Sequence, residues 1–162
     1  MSTLNPYDKF LDGRPVMEIL SETPPLIASL LEKMPPLKAR EAPAPGKWSA
    51  GEIVAHLADC VLVFGFRLRQ TLAEDQPTIQ PFDQEKWARS YSGIEPDEAL
   101  AAFTAFRRWN VLLLDRALPA AAGRKVTHPE RGTMTFQTIV ETMAGHDLNH
   151  MAQLRRIAGP AQ

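Results

Sequence analysis

The stretch TIVETMAGHDLNHMAQLRRI, residues 138–157, decides how this chain is read. Ile139, Val140, Met143, Leu154 and Ile157 recur at helical spacing and mark one buried face. At about 100° per residue that face centres near Met143 and Leu154. His150 falls almost on the centre, with Asp147 to one side and His146 to the other. Two imidazoles and a carboxylate stand where a buried helix face calls for leucines. A buried imidazole without a partner costs free energy, so this pair asks for a shared purpose. Histidines at i and i+4 stand one above the other and can share one metal ion.

Three upstream segments carry the same period. Residues 15–34 read as a helix, with Ile19, Leu20, Leu26, Ile27, Leu30, Leu31 and Met34 apolar. Pro24 and Pro25 should kink it or divide it in two, with Thr23 capping the second piece. Residues 35–47 read as a loop. The second helix begins at WSAGEI, where Ser49 as N-cap and Glu52 three residues on form a capping box. Trp48 and Ile53 are spaced as a hydrophobic staple. Ile53, Leu57, Val61, Phe64, Leu68 and Leu72 form its stripe.

Residues 74–95 read as mostly irregular, with a short helix over 84–91. Pro96 opens the third helix, with Asp97 and Glu98 favourable at its positive end. Ala99, Phe103, Phe106, Leu113, Leu114 and Ala117 are expected inside, and Pro119 ends the helix. A loop of about fifteen residues (118–134) carries Gly123, His128, Pro129 and Gly132. Thr135 caps the last helix, which stops before Gly159-Pro160. The alternation that marks strands is nearly absent. The expected fold is all-α, a single four-helix-bundle domain over 1–162 with a kinked first helix and a short extra helix between the second and third.

The 162 residues carry a net charge of −1 and no long run of one sign, so nucleic acid and anionic membranes are not expected partners. Cys60 is the only cysteine, which rules out an intrachain disulfide and suggests a reducing compartment. MSTLNPYDKFLDGR lacks an apolar signal core, and no apolar run is long enough to cross a bilayer. A soluble cytoplasmic protein is the expectation.

A metal site with an open position takes three protein ligands, one more than the helix pair supplies. His56, at the margin of the second helix's stripe, is either the third ligand or a hydrogen-bonded structural residue. His128 sits in a proline-flanked loop and is a poorer candidate. Asp147 either pairs with a buried arginine or accepts the other ring N–H of a ligand histidine and fixes its tautomer; an acid/base role is the further possibility. Glu52 is explained by the capping box, while Asp59 either supports a ligand histidine from behind or is solvated, with solvation the expectation. Cys60, one turn after His56, is a small buried hydrophobe or a thiolate donor. Asn110, at the centre of the third helix's apolar face, is a pocket hydrogen-bonder or a packing residue satisfied by backbone. Trp87 and Tyr91 either line a cleft over the site or cover the end of the bundle.

Together, PGKWSAGEIVAHLAD (45–59) and HPERGTMTFQTIVETMAGHDLNHMAQLRRI (128–157) resemble the DinB/YfiT-like superfamily of metalloenzymes. The resemblance runs through nearly the whole chain. It implies a four-helix bundle holding a divalent metal, zinc or nickel, on His56, His146 and His150. It implies a homodimer acting on a small molecule. It also implies one of two chemistries, transfer of a low-molecular-weight thiol to an electrophile or metal-dependent hydrolysis, with thiol transfer as the leading expectation. A non-catalytic bundle that only binds metal or ligand is the competing class. Leu112 and Leu148, off their helices' main apolar faces, lend slight support to a dimer.

Overall fold

The four periodic segments form four long helices, joined by shorter elements. The structure, a computed structural model, describes residues 4–159. In chain order these are a 3₁₀ turn (Asp8–Phe10), α1 (Val16–Glu32), α2 (Pro36–Arg40), α3 (Ala50–Ala73), α4 (Gln84–Ala88), α5 (Pro96–Ala117), β1 (Lys125–His128), β2 (Gly132–Thr135) and α6 (Phe136–Ala158). α1, α3, α5 and α6 make a four-helix bundle, with α4 as the short extra helix between α3 and α5. Among the described residues no helix is long and apolar enough to cross a membrane.

Local chemistry fixes where α3 and α6 begin, and so where their histidines stand. The Ser49 amide donates to Glu52 Oε2 at 2.8 Å, and the Glu52 amide donates to Ser49 Oγ at 3.1 Å. This is the reciprocal capping box, which satisfies two amides the helix itself cannot. At α6 the Thr138 amide donates to Thr135 Oγ1 at 3.1 Å. Gly159, at φ +86°, ends α6, its amide donating to the Arg155 carbonyl. Pro160 lies outside the described residues.

α1 runs through Pro24 and Pro25 as one helix. Thr23 does not cap a second piece. Its hydroxyl donates back to the Ile19 carbonyl at 2.7 Å, the bond of a residue inside a helix and not of a cap. Two segments read as loop are ordered. Residues 36–40 form α2, with Pro36 in its first turn. Residues 125–135 form an antiparallel hairpin pairing Val126 with Met134. Both side chains are buried, at 0% and 3% exposure, but four-residue strands are too short to display alternation in the sequence. The hairpin also anchors the irregular 74–95 segment, since the Ile79 amide donates to the Thr127 carbonyl and the Thr127 amide to Pro77.

The core falls into two clusters. Leu20, Phe64, Leu114, Phe136 and Met143 belong to one, and Ile27, Leu57, Phe103, Met151 and Leu154 to the other. Along α3 and α6 the join between them is where His56, His146 and His150 lie. Phe106, expected inside, is 40% exposed. It belongs with Leu62, Phe66 and Trp109 on the outer side of α3 and α5. Arg69, one turn from Phe66, lies over the Trp109 ring at 5.6 Å and ties the two helices along this seam. Leu112 is exposed, while Leu148 is partly buried against the first cluster.

Candidate metal centre

His56 from α3 and His146 and His150 from α6 converge. Each offers a ring nitrogen, and the three lie within 4.8 Å of one another. The Nε2 atoms of His56 and His146 are 3.1 Å apart. All three rings are buried, at 0%, 2% and 6% exposure. Two helical facts produce this. The capping box fixes the start of α3 and hence the height of His56, and the four-residue spacing stacks His146 and His150 on one face of α6.

The surroundings hold the imidazoles neutral. Burial, and then the neighbouring His150, lowers the pKa of His56 from 6.5 to about 3. Burial lowers that of His150 to about 4, against a small opposing pull from Gln153. His146 is driven well below 6.5 by burial, then by the other two histidines and Arg107. A neutral imidazole carries the lone pair a metal needs.

A divalent ion fits this donor set. Ligand nitrogens about 2.0–2.1 Å from a tetrahedral ion are about 3.3 Å from one another. The His56–His146 separation of 3.1 Å is close to that figure, and no separation within the triad exceeds 4.8 Å. His150 Nδ1 lies 3.2 Å from Gln153 Oε1, so Nδ1–H donates to the amide oxygen and leaves Nε2 bare. His146 Nδ1 is buried without a hydrogen-bond partner. Two neutral imidazoles that meet at their Nε2 atoms share a single proton there; with both Nε2 lone pairs on a cation that contact needs no proton, and the His146 proton sits on its buried Nδ1. Cys60 Sγ stands 3.4 Å from His56 Nε2 and 3.8 Å from His146 Nε2, and burial raises the pKa of its thiol. It packs on the triad as a neutral neighbour.

The other candidate residues find different partners. Asp147, buried, lies 2.9 Å (Oδ1) and 2.8 Å (Oδ2) from Arg107 Nη2. Burial raises its pKa to about 6, with Arg107 pulling the other way. It accepts no histidine N–H, because its oxygens turn toward α5, so the buried-arginine alternative describes it. Asn110 does not line the cleft. Its Nδ2 donates to the Val61 carbonyl at 2.9 Å and its Oδ1 accepts from Arg69 at 2.8 Å, between α3 and α5. Gly65 is what admits it there, since a Cβ at that position would fall 2.5 Å from Asn110 Oδ1. Trp87 is partly exposed against Phe82, at 4.8 Å between ring centroids. Tyr91 is buried behind Trp48, its hydroxyl donating to Asp59 Oδ2 at 2.8 Å. His128 is buried in β1, its Nδ1 accepting from the Glu130 amide at 3.1 Å, apart from the triad.

Four neighbours of the triad escape the sequence reading. Trp48, the staple residue, packs on His56 at 4.8 Å and stacks near His150 at 6.4 Å. Tyr7 sets its ring edge against His146 at 5.2 Å. Gln153 and Arg107 are the others. Gln153, three residues from His150 on one helix face, could have been found from spacing alone. Arg107, a cation amid the apolar residues of α5, signalled a buried partner without naming it. A cleft of about 530 Å³, lined in part by Trp48, Ile53 and Gln153, opens onto His150.

Known proteins resemble this chain to different depths. Among solved structures, YfiT from Bacillus subtilis, called "a probable metal-dependent hydrolase with an unusual four-helix bundle topology", has TM-score 0.77 at 22% identity, over 87% of this chain and 84% of that one. At that identity the likeness is one of fold. An Oceanobacillus iheyensis protein named "Putative metal-dependent hydrolase" is 32% identical over 111 residues, 67% of this chain. The match spans 64% of that relative, just under two thirds of its length. A Bacillus cereus protein of the same name is 26% identical over 159 residues, covering 92% of this chain and 91% of its own. The model of the DinB superfamily matches residues 19–154, a span that contains all three converging histidines and runs from α1 into α6. That match takes in most of the chain, and the chain belongs to the DinB superfamily.

Proposed function

We propose that this chain is a divalent-metal-dependent enzyme whose ion is held by His56, His146 and His150. The observation that carries the reading is the convergence of three buried, neutral imidazoles beside an open cleft. Three protein ligands leave a coordination position for a reactant, whereas closed structural sites normally use four. A bound ion of this kind supplies Lewis acidity and makes a strong nucleophile of water or a thiol at neutral pH. The chain's own part is to keep the ligands unprotonated, to orient His150 through Gln153, and to shed water from one side with Trp48, Phe64 and Tyr7.

Hydrolysis of a small amide or ester is the first reading, supported by the names of the relatives. Transfer of a low-molecular-weight thiol is the second, and one observation favours it. Asp147 is engaged by Arg107, Glu52 by its capping box and Asp59 by Tyr91. None of these three is free beside the triad to hand a proton to a leaving amine, which leaves Glu85 in the cleft wall as the remaining carboxylate near His150; thiol addition to an electrophile has no such need. Zinc and nickel both suit imidazole ligands. A homodimer is also proposed, with Leu62, Phe66, Phe106 and Trp109 as the paired surface; Trp109→Glu should then shift the sedimentation coefficient to that of a single chain.

The test uses protein made without a histidine tag. Elemental analysis should find one zinc or nickel per chain, lost in folded His56→Ala, His146→Ala and His150→Ala. Loaded protein is then offered ester and amide substrates, and separately thiols with electrophiles. Absence of metal after both ions have been supplied would sink the reading.

A further inference from the structure

The cleft that opens onto His150 carries unbalanced charge. Lys47 lines it from the segment before α3, and Arg156 from the last turn of α6. Neither has a carboxylate within ion-pair distance among the described residues. Glu85, from α4, is the single acidic residue in the lining. The charged lining therefore sums to one positive charge, in a chain whose net charge is −1. The rest of the wall is largely apolar, from Trp48, Ile53 and Ile157.

The spacing along the chain suits one small molecule. Arg156 lies six residues beyond His150, a rise of about 9 Å along the helix. It also lies about 120° around the helix from His150, and both residues line the one cleft. Lys47 precedes Trp48, whose ring stacks near His150 at 6.4 Å. A negative group held between Lys47 and Arg156 would leave several bonds to span before the reacting atom meets the triad. Those bonds would cross Trp48, Ile53 and Ile157.

We infer that the substrate is a small monoanion, a carboxylate with an apolar body, held at the mouth by Lys47 and Arg156 with its reactive group toward His150. Apart from the ion the triad would hold, the side chains of the mouth carry one net positive charge, which matches a carboxylate better than a doubly charged phosphate. This inference deepens the metal-enzyme reading and rests on the triad being where reaction occurs. The charge selection itself needs no metal.

The probes are N-acetyl-L-leucine and its neutral amide, N-acetyl-L-leucinamide, which match in shape and differ in charge. Binding is followed by calorimetry at low salt, on zinc-loaded protein and on metal-free His56→Ala. The carboxylate should bind roughly tenfold tighter than the amide in both, with the preference shrinking as salt is raised. It should fall to about twofold or less in the Lys47→Gln, Arg156→Gln double variant and grow in Glu85→Gln. All three positions are exposed, and circular dichroism checks that each variant folds. Equal binding of the two probes, failure of both to bind, or a preference indifferent to these substitutions would each overturn the inference. A preference seen only with zinc and unmoved by the charge changes would put the carboxylate on the metal and overturn it too. Persistence of the preference in a protein that never takes up metal would instead reject the metal reading and leave the charged cleft standing.

Discussion

His56 Nε2 and His146 Nε2 lie 3.1 Å apart although ninety positions separate the two residues. Without a cation between them only one proton can occupy that contact. If His146 donates there, its buried Nδ1 is left a bare acceptor; if His56 donates, the proton on His146 Nδ1 has nowhere to go. An unmade buried hydrogen bond costs about 1–3 kcal/mol. Replacing both His56 and His146 with leucine, which is similar in size, removes that cost without stranding either ring, whereas replacing His146 alone would leave His56 Nε2 with only the Cys60 thiol beside it. The His56→Leu, His146→Leu double variant should therefore stabilise the metal-free protein by about 1 kcal/mol, seen as a rise of about 2–4 °C in Tm. Zinc should raise the Tm of the wild type and leave that of the variant unchanged. A metal-free variant markedly less stable than wild type would mean the imidazoles are structural.

Acid should unfold the metal-free protein early. His56 is held at about 3 and His150 at about 4 in the folded chain, against 6.5 when exposed. Between those values the unfolded chain binds protons that the folded one refuses. Stability is then fully present above about pH 6.5 and is lost as pH falls toward 4, each histidine contributing up to about 1.4 kcal/mol per pH unit. Asp147, raised to about 6, works in the opposite sense, as one group against three. Urea midpoints measured from pH 7.5 to 4.5 should fall steeply in the wild type and less steeply in His56→Ala. Parallel curves would show that His56 titrates normally.

The buried pair of Arg107 and Asp147 should matter for folding and not for metal. Removing one partner strands a charge that is 2% exposed, at a cost of about 3–5 kcal/mol. Arg107→Met alone should be severely destabilising, and Arg107→Met with Asp147→Leu much less so. Folded protein of the double variant should still bind one metal ion per chain, because neither side chain touches a histidine nitrogen. Metal loss in that variant would give Asp147 a direct role at the site.

What the sequence yields and what it hides follow from the range of each interaction. The capping box at Ser49 and Glu52 and the edge-to-face contact of His146 with His150 are local, and spacing alone discloses them. His56 needs a partner ninety residues away; only its stripe position and the family resemblance mark it. Asp147, Asn110 and Tyr91 are polar residues at buried positions, so the sequence says that each has a partner. It does not say that the partners are Arg107, the Val61 carbonyl and Asp59. The hairpin of β1 and β2 is hidden for another reason. Val126 and Met134 are its only residues in the apolar core, too few to set up a period.

Gly145 offers a last test, because it lets the N-terminal segment close over the triad. A Cβ on Gly145 would lie 2.6 Å from the Tyr7 carbonyl oxygen and 2.8 Å from Tyr7 Cβ. Neither atom is the free end of a flexible side chain, so the segment itself would have to move. Alanine is the better helix former by about 1 kcal/mol, which by itself would stabilise α6. Overpacking against backbone costs about 1–3 kcal/mol and should win. Gly145→Ala should then lower stability modestly in urea. It should also lift the Tyr7 ring from the edge of His146, where it now packs at 5.2 Å. Release of zinc to a chelator should accelerate as that side of the triad opens to solvent. If Gly145→Ala is stabilising and zinc release is unchanged, then Tyr7 is not a cover for this site.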